Sequence, residues 1–99
     1  MLTSKERAAL RAKANQMPAI FHLGKSAITP EFSEGIREAL EARELIKIDT
    51  LQNCEMEPKE AARILSERTG SEVVQIVGRK IILYKKSKTN KDKREERLQ

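Results

Sequence analysis

The sequence predicts a mixed α/β domain, α+β-like and two-layered, in which three helices pack against a four-stranded mixed sheet. Three observations point to it. Helix-start signals stand at Thr3 with Glu6, at Thr29 with Pro30, and at Pro58. Short apolar runs rich in β-branched residues lie between and after these helices. The last two runs are separated only by Gly78 and Arg79, the spacing of a tight hairpin. The resulting order is α-β-α-β-α-β-β, without internal repeats. Strands linked through helices are normally parallel and a hairpin is antiparallel, so the sheet is mixed, and right-handed crossovers restrict its topology.

Thr3 and Glu6 form a capping-box pattern with Leu2 before it as a staple residue, and the first helix is expected over Ser4–Asn15. Its apolar side is thin: Leu10 and Ala14, with Ala8 or Ala9, and then Met17. Lys5, Arg7, Arg11 and Lys13 make the remainder strongly basic. Pro18 stops this helix, and Ala19–Leu23 reads as the first strand. Phe32, Ile36, Ala39 and Leu40 recur at helical spacing and give a second helix from Pro30 to Arg43, with a mostly acidic outer face. In Leu45–Leu51, Ile46 and Ile48 alternate with Lys47 and Asp49, which predicts a strand with one buried and one more polar face. Pro58 opens a third helix whose buried stripe is Ala61, Ile64 and Leu65, with Glu57 and Glu60 suited to its start and Gly70 to its C-terminal cap. Glu72–Val77 and Lys80–Lys85 are the hairpin strands. Val74, Ile76, Ile81 and Leu83, or their immediate alternates, are the inward positions.

At 99 residues the chain is one domain, and a domain of this size buries only roughly 60–65% of its unfolded surface. Residues 1–85 are expected to fold and 86–99 to form a disordered basic tail: from Lys85 to Gln99 there are seven Lys/Arg against three Asp/Glu. The net charge of +5 and pI near 9.6 favour polyanionic partners. Phe21, Phe32 and Tyr84 are the only aromatic residues, which argues against a stacking platform as the main means of holding bases. The lone Cys54 fits a reducing compartment. No apolar stretch is long enough for a membrane span, and the N-terminus lacks the apolar core of a signal peptide, so the expected location is cytoplasmic with no membrane partner.

The most informative segment is Gly24, Lys25, Ser26, Ala27, a cationic turn between the first strand and the start of the second helix. Backbone N–H groups at a helix start, its dipole and a Lys side chain all favour a bound phosphate. Ala19, Gly24, Lys25 and Ser26 also satisfy a loose phosphate-loop pattern, which makes a nucleotide-binding protein the alternative reading. That pattern needs a flexible loop where this chain has Ile20–Leu23, a strand-like run. A third reading is a basic adaptor working through protein contacts. Catalysis finds little support: His22 is the only histidine, Cys54 has no metal-binding neighbour in sequence, and Asp49, Glu55 and Glu57 read as surface charges. No metal or cofactor is expected.

Four segments in order carry a family resemblance: Leu2–Ala14, Gly24–Thr29, Glu38–Ile48, and Val74–Tyr84 with Val-Gln-Ile-Val-Gly-Arg-Lys-Ile-Ile-Leu-Tyr. Together they resemble a single chloroplast RNA splicing and ribosome maturation (CRM) domain in its stand-alone, YhbY-like prokaryotic form, over Leu2 to Lys85. The resemblance implies a fold similar to the C-terminal domain of translation initiation factor three, RNA binding without catalysis, and association with ribosomal RNA in large-subunit precursors. The protein would act as a monomer. The family presents Gly-x-x-Gly in the loop, like the backbone clamp of KH domains. Here Gly24 is the first glycine, Lys25 and Ser26 fill the variable positions, and Ala27 replaces the second glycine. Ala disfavours positive φ by roughly 1 kcal/mol or more, which puts close backbone approach at Ala27 in question. The implied RNA track runs from this loop to Arg11, Lys47, Arg79 and Lys80.

Overall fold

The computed structural model describes residues 2–25 and 28–86. The expectations for Ser26, Ala27 and tail residues 87–99 lie outside the described residues. Seven elements follow in the expected order: α1 (Ser4–Asn15), β1 (Phe21–Leu23), α2 (Pro30–Arg43), β2 (Leu45–Thr50), α3 (Pro58–Thr69), β3 (Glu72–Val77) and β4 (Lys80–Tyr84). The sheet order is β1-β2-β4-β3, with β1 parallel to β2 and the other two pairings antiparallel. This is a three-helix α+β fold on a four-stranded mixed sheet. No helix among the described residues is long and apolar enough to cross a membrane.

Local chemistry explains the element boundaries. The capping box is complete: Thr3 Oγ1 accepts from the Glu6 N–H at 3.1 Å, and Glu6 Oε1 accepts from the Thr3 N–H at 2.9 Å. That backbone hydrogen bond holds the Glu6 carboxyl below its ordinary value of 4.5. Thr29 caps α2 through Phe32, with Pro30 at the first helical position. Glu57 occupies the N-cap of α3 without a side-chain cap bond, while Gly70 ends that helix in the left-handed conformation. Gly78 has φ +60° and Arg79 is not in the positive-φ region, the signature of a type II′ hairpin turn with glycine first.

The main core lies between the sheet and α2–α3. Ile46 and Ile48 from β2 and Ile81 and Leu83 from β4 meet Ile36, Leu40 and Leu65 there, all fully buried. The opposite face is covered by α1, whose Leu10 and Ala14, with Met17 just beyond its end, pack with Leu45, Val74, Ile82 and Tyr84, so helices flank both faces and the sheet is the middle of three layers rather than one of two. Because α1 lies on that side, the expected polar face of β2 is largely covered: Leu45 is buried and Lys47 is only 9% exposed. The hairpin also departs from strict alternation. A register shift between Val73 and Gln75 turns Val74 toward α1, while Val73 and Ile76 pack on the main core. Val74 and Ile76, grouped as inward positions in the sequence, therefore serve opposite faces.

Candidate nucleic-acid interface

β1 delivers the loop to one end of the sheet. The Leu51 N–H donates to the Leu23 carbonyl at 2.8 Å, extending the β1–β2 ladder one residue beyond β2. A Cβ at Gly24 would lie 3.7 Å from Leu51 Cδ1 and 3.8 Å from Asn53 Oδ1, so the β2–α3 loop runs alongside. The hairpin turn is tied to the same place. Thr50 donates to the Arg79 carbonyl through its N–H at 2.8 Å and its hydroxyl at 2.6 Å, and Arg79 Nη1 reaches the Leu51 carbonyl at 3.5 Å. Lys80 pairs in register with Asp49, and Asp49 with His22.

Four of the residues expected in the RNA track, Gly24, Lys25, Arg79 and Lys80, therefore meet at one end of the sheet, and the three cations are exposed. Lys47 lies two residues inward along β2 and is nearly covered. Arg11 is half-buried on α1, one turn beyond Arg7, and no hydrogen bond or ion pair among the described residues ties it to the loop. Of the expected track, the exposed cations are therefore those of the loop and hairpin turn, while α1 carries its own basic set of Lys5, Arg7, Arg11 and Lys13.

The start of α2 is a poorer phosphate cradle than the sequence implies. Pro30 has no N–H, the Phe32 N–H is taken by Thr29 Oγ1 at 3.0 Å, and the Ser33 N–H by the Thr29 carbonyl at 3.0 Å. Glu31 adds a carboxylate to the first turn. Gly24 and the exposed Lys25 precede this cap and take no part in its hydrogen bonds. Phe21, His22 and Leu23 are held in β1 against Ile48, Asp49 and Thr50, so they do not supply the wrapping backbone of a phosphate loop.

Two residues at this end escaped the sequence reading. Leu51 and Val77 are the exposed large hydrophobics among the described residues, at 38% and 50%. Their position just past one strand and at the tip of another was the available signal, since an apolar residue there has no sheet face left to cover. At the opposite end, α1 and the hairpin enclose an open groove of about 290 Å³ lined by Leu2, Glu6, Glu72, Tyr84 and Lys85. Its mixed charge contrasts with the cationic loop end.

The fold and this charged edge define a small α+β binding domain. The chain belongs to the CRS1/YhbY (CRM) domain family, whose model matches residues 2–85. It is 46% identical over 91 residues to "Probable RNA-binding protein YqeI" of Bacillus subtilis, covering 92% of this chain and 95% of that protein. It is also similar to the solution structure of the hypothetical protein SAV1595 from Staphylococcus aureus, with TM-score 0.76 and 44% identity, covering 93% of this chain and 96% of the other.

Proposed function

We propose that this protein is a noncatalytic, cytoplasmic RNA-binding protein that engages ribosomal RNA precursors and assists assembly of the large ribosomal subunit as a monomer. Membership in the CRM family and similarity to a protein named as RNA-binding support the RNA partner. The observation that carries the location is that Lys25, Arg79 and Lys80 lie, with Gly24, at the same end of the sheet. Lys25 neutralises one phosphate and the Gly24 backbone admits close approach of the strand. Arg79 and Lys80 extend the charge along the hairpin. Ser26 and Ala27 complete the loop, Lys47 and Arg11 add longer-range attraction, and the basic tail adds affinity without choosing a site.

The strand conformation of Phe21–Leu23 favours this reading over a nucleotide-binding loop. Crosslinking in cells followed by sequencing of bound RNA tests it. Enrichment of large-subunit precursor RNA is expected, whereas crosslinks scattered over messenger RNA contradict the assembly role. Millimolar ATP or GTP with magnesium is expected to leave the melting temperature unchanged; a clear rise identifies a nucleotide site instead.

A further inference from the structure

The α1 side of the sheet is covered over Leu45, Val74 and Ile82, but its final row is open. That row takes one residue from each strand: His22, Asp49, Lys80 and Val77, paired in register across the sheet. Phe21, Leu23, Ile48 and Ile81 turn toward the opposite core, so strand alternation directs His22, Asp49 and Lys80 to this side. His22 and Lys80 are exposed, Asp49 is half-buried, and Val77 and nearby Leu51 supply exposed apolar surface.

Asp49 is out of place on an edge that binds only phosphates, because a carboxylate repels them. It stands between Lys80 and His22, yet its carboxylate makes no ion pair or hydrogen bond with any of the described residues. Glu55 and Glu57 lie in the loop beyond, and Glu31 on α2; Asp49 is the acid within this row of strand residues. A carboxylate offers two acceptor oxygens and no donor. Guanine presents two adjacent donors on its pairing edge, N1–H and the N2 amino group. Adenine and cytosine present a single amino group there, and a paired guanine has both donors engaged.

Building on the RNA reading above, we infer that Asp49 accepts the N1–H and N2 amino donors of an unpaired guanine, making this row a base-reading position. Lys25, Arg79 and Lys80 hold the neighbouring phosphates, and Val77 and Leu51 give the base and sugar an apolar boundary. The site thus selects a single-stranded, guanine-bearing segment over duplex RNA.

The test uses the full chain and short single-stranded uridine-rich RNAs carrying a central guanosine pair, the same with inosine, which lacks the 2-amino group, and the same with adenosine. The wild type is expected to prefer guanosine over inosine by roughly tenfold, and Asp49→Asn, close in shape, to bring that ratio near one. Equal binding of guanosine and inosine by the wild type, or uniform tightening of all three by Asp49→Asn, overturns the inference and leaves Asp49 as a repulsive charge. A large-subunit ribosomal RNA transcript is measured alongside. Salt-sensitive binding to it without guanine preference overturns this inference alone, whereas absence of binding to every RNA overturns the RNA reading as well.

Discussion

Arg7 Nη1 donates to the Val73 carbonyl at 2.7 Å and to the Val74 carbonyl at 3.2 Å, at the point where β3 breaks register with β4. At this irregularity on the edge strand of the sheet, a single guanidinium on α1 serves both carbonyls. The same group stands 3.8 Å from Glu72, a pair exposed enough that screening leaves it little weight. Arg7→Ala is therefore expected to destabilise the fold by about 1–3 kcal/mol in urea denaturation, because two backbone acceptors lose a charged donor. Arg7→Lys keeps the charge without the forked geometry and should recover only part of that loss. A wild-type midpoint in Arg7→Ala would mean that α1 is held by its apolar contacts alone.

Two glycines separate binding from folding. Gly24 is not in the positive-φ region, and a methyl group there meets Leu51 and Asn53 only at ordinary contact distance. Gly24→Ala should change stability by less than about 1 kcal/mol while weakening RNA binding, if an RNA strand passes close to its backbone. Gly35 lies within α2 with Phe21 Cε1 3.5 Å from an added Cβ, so Gly35→Ala should leave binding unchanged and stabilise the helix by up to about 1 kcal/mol. Thermal melts and binding isotherms on the two variants check both statements. A Gly24→Ala protein that melts and binds like the wild type argues against close approach at this residue.

Ala27→Gly places glycine at the second position of the Gly-x-x-Gly pattern that the family resemblance implies. RNA affinity is expected to be preserved or improved, as read by fluorescence anisotropy. A clear loss would show that the loop works through the shape alanine imposes.

Acid should loosen the start of α1. The Thr3 N–H bonded to Glu6 lowers the Glu6 pKa in the folded state, so the capping-box contribution is fully present above the ordinary value near 4.5 and is lost as pH falls through the lower folded value. NMR titration should place the Glu6 carboxyl below an ordinary glutamate, with amide exchange in the first turn of α1 accelerating over the same range. Thr3→Ala removes the side-chain half of the box but keeps the backbone N–H of that position, and should return the Glu6 titration only part of the way toward its ordinary value.

The elements were legible because each boundary has local chemistry. Thr3 with Glu6, Thr29 with Pro30, Gly70 and Gly78 act on their own neighbours, and all four perform the expected backbone role. Features set by distant partners were not legible. Lys47 reads as a solvent-facing alternate of Ile46 and Ile48, and only the passage of α1 across that face shows that it is covered. Val74 and Gln75 carry no turn residue to announce a register shift, and with apolar residues wanted on both faces, hydropathy cannot locate it. At the candidate site, Gly24 and Lys25 were visible as a cationic turn. The company of Arg79 and Lys80 depends on strand register and on the Thr50–Arg79 bonds, which no spacing along the chain encodes.

The central claim is that the loop end of the sheet contacts RNA phosphate, and the salt dependence of Lys25→Ala tests it most directly. Binding to a structured ribosomal RNA transcript, measured over a range of salt concentrations, is expected to weaken, with the slope of log affinity against log salt reduced by about 0.7–0.9, the loss of one phosphate contact. Affinity and slope both equal to those of the wild type would place the RNA on another surface.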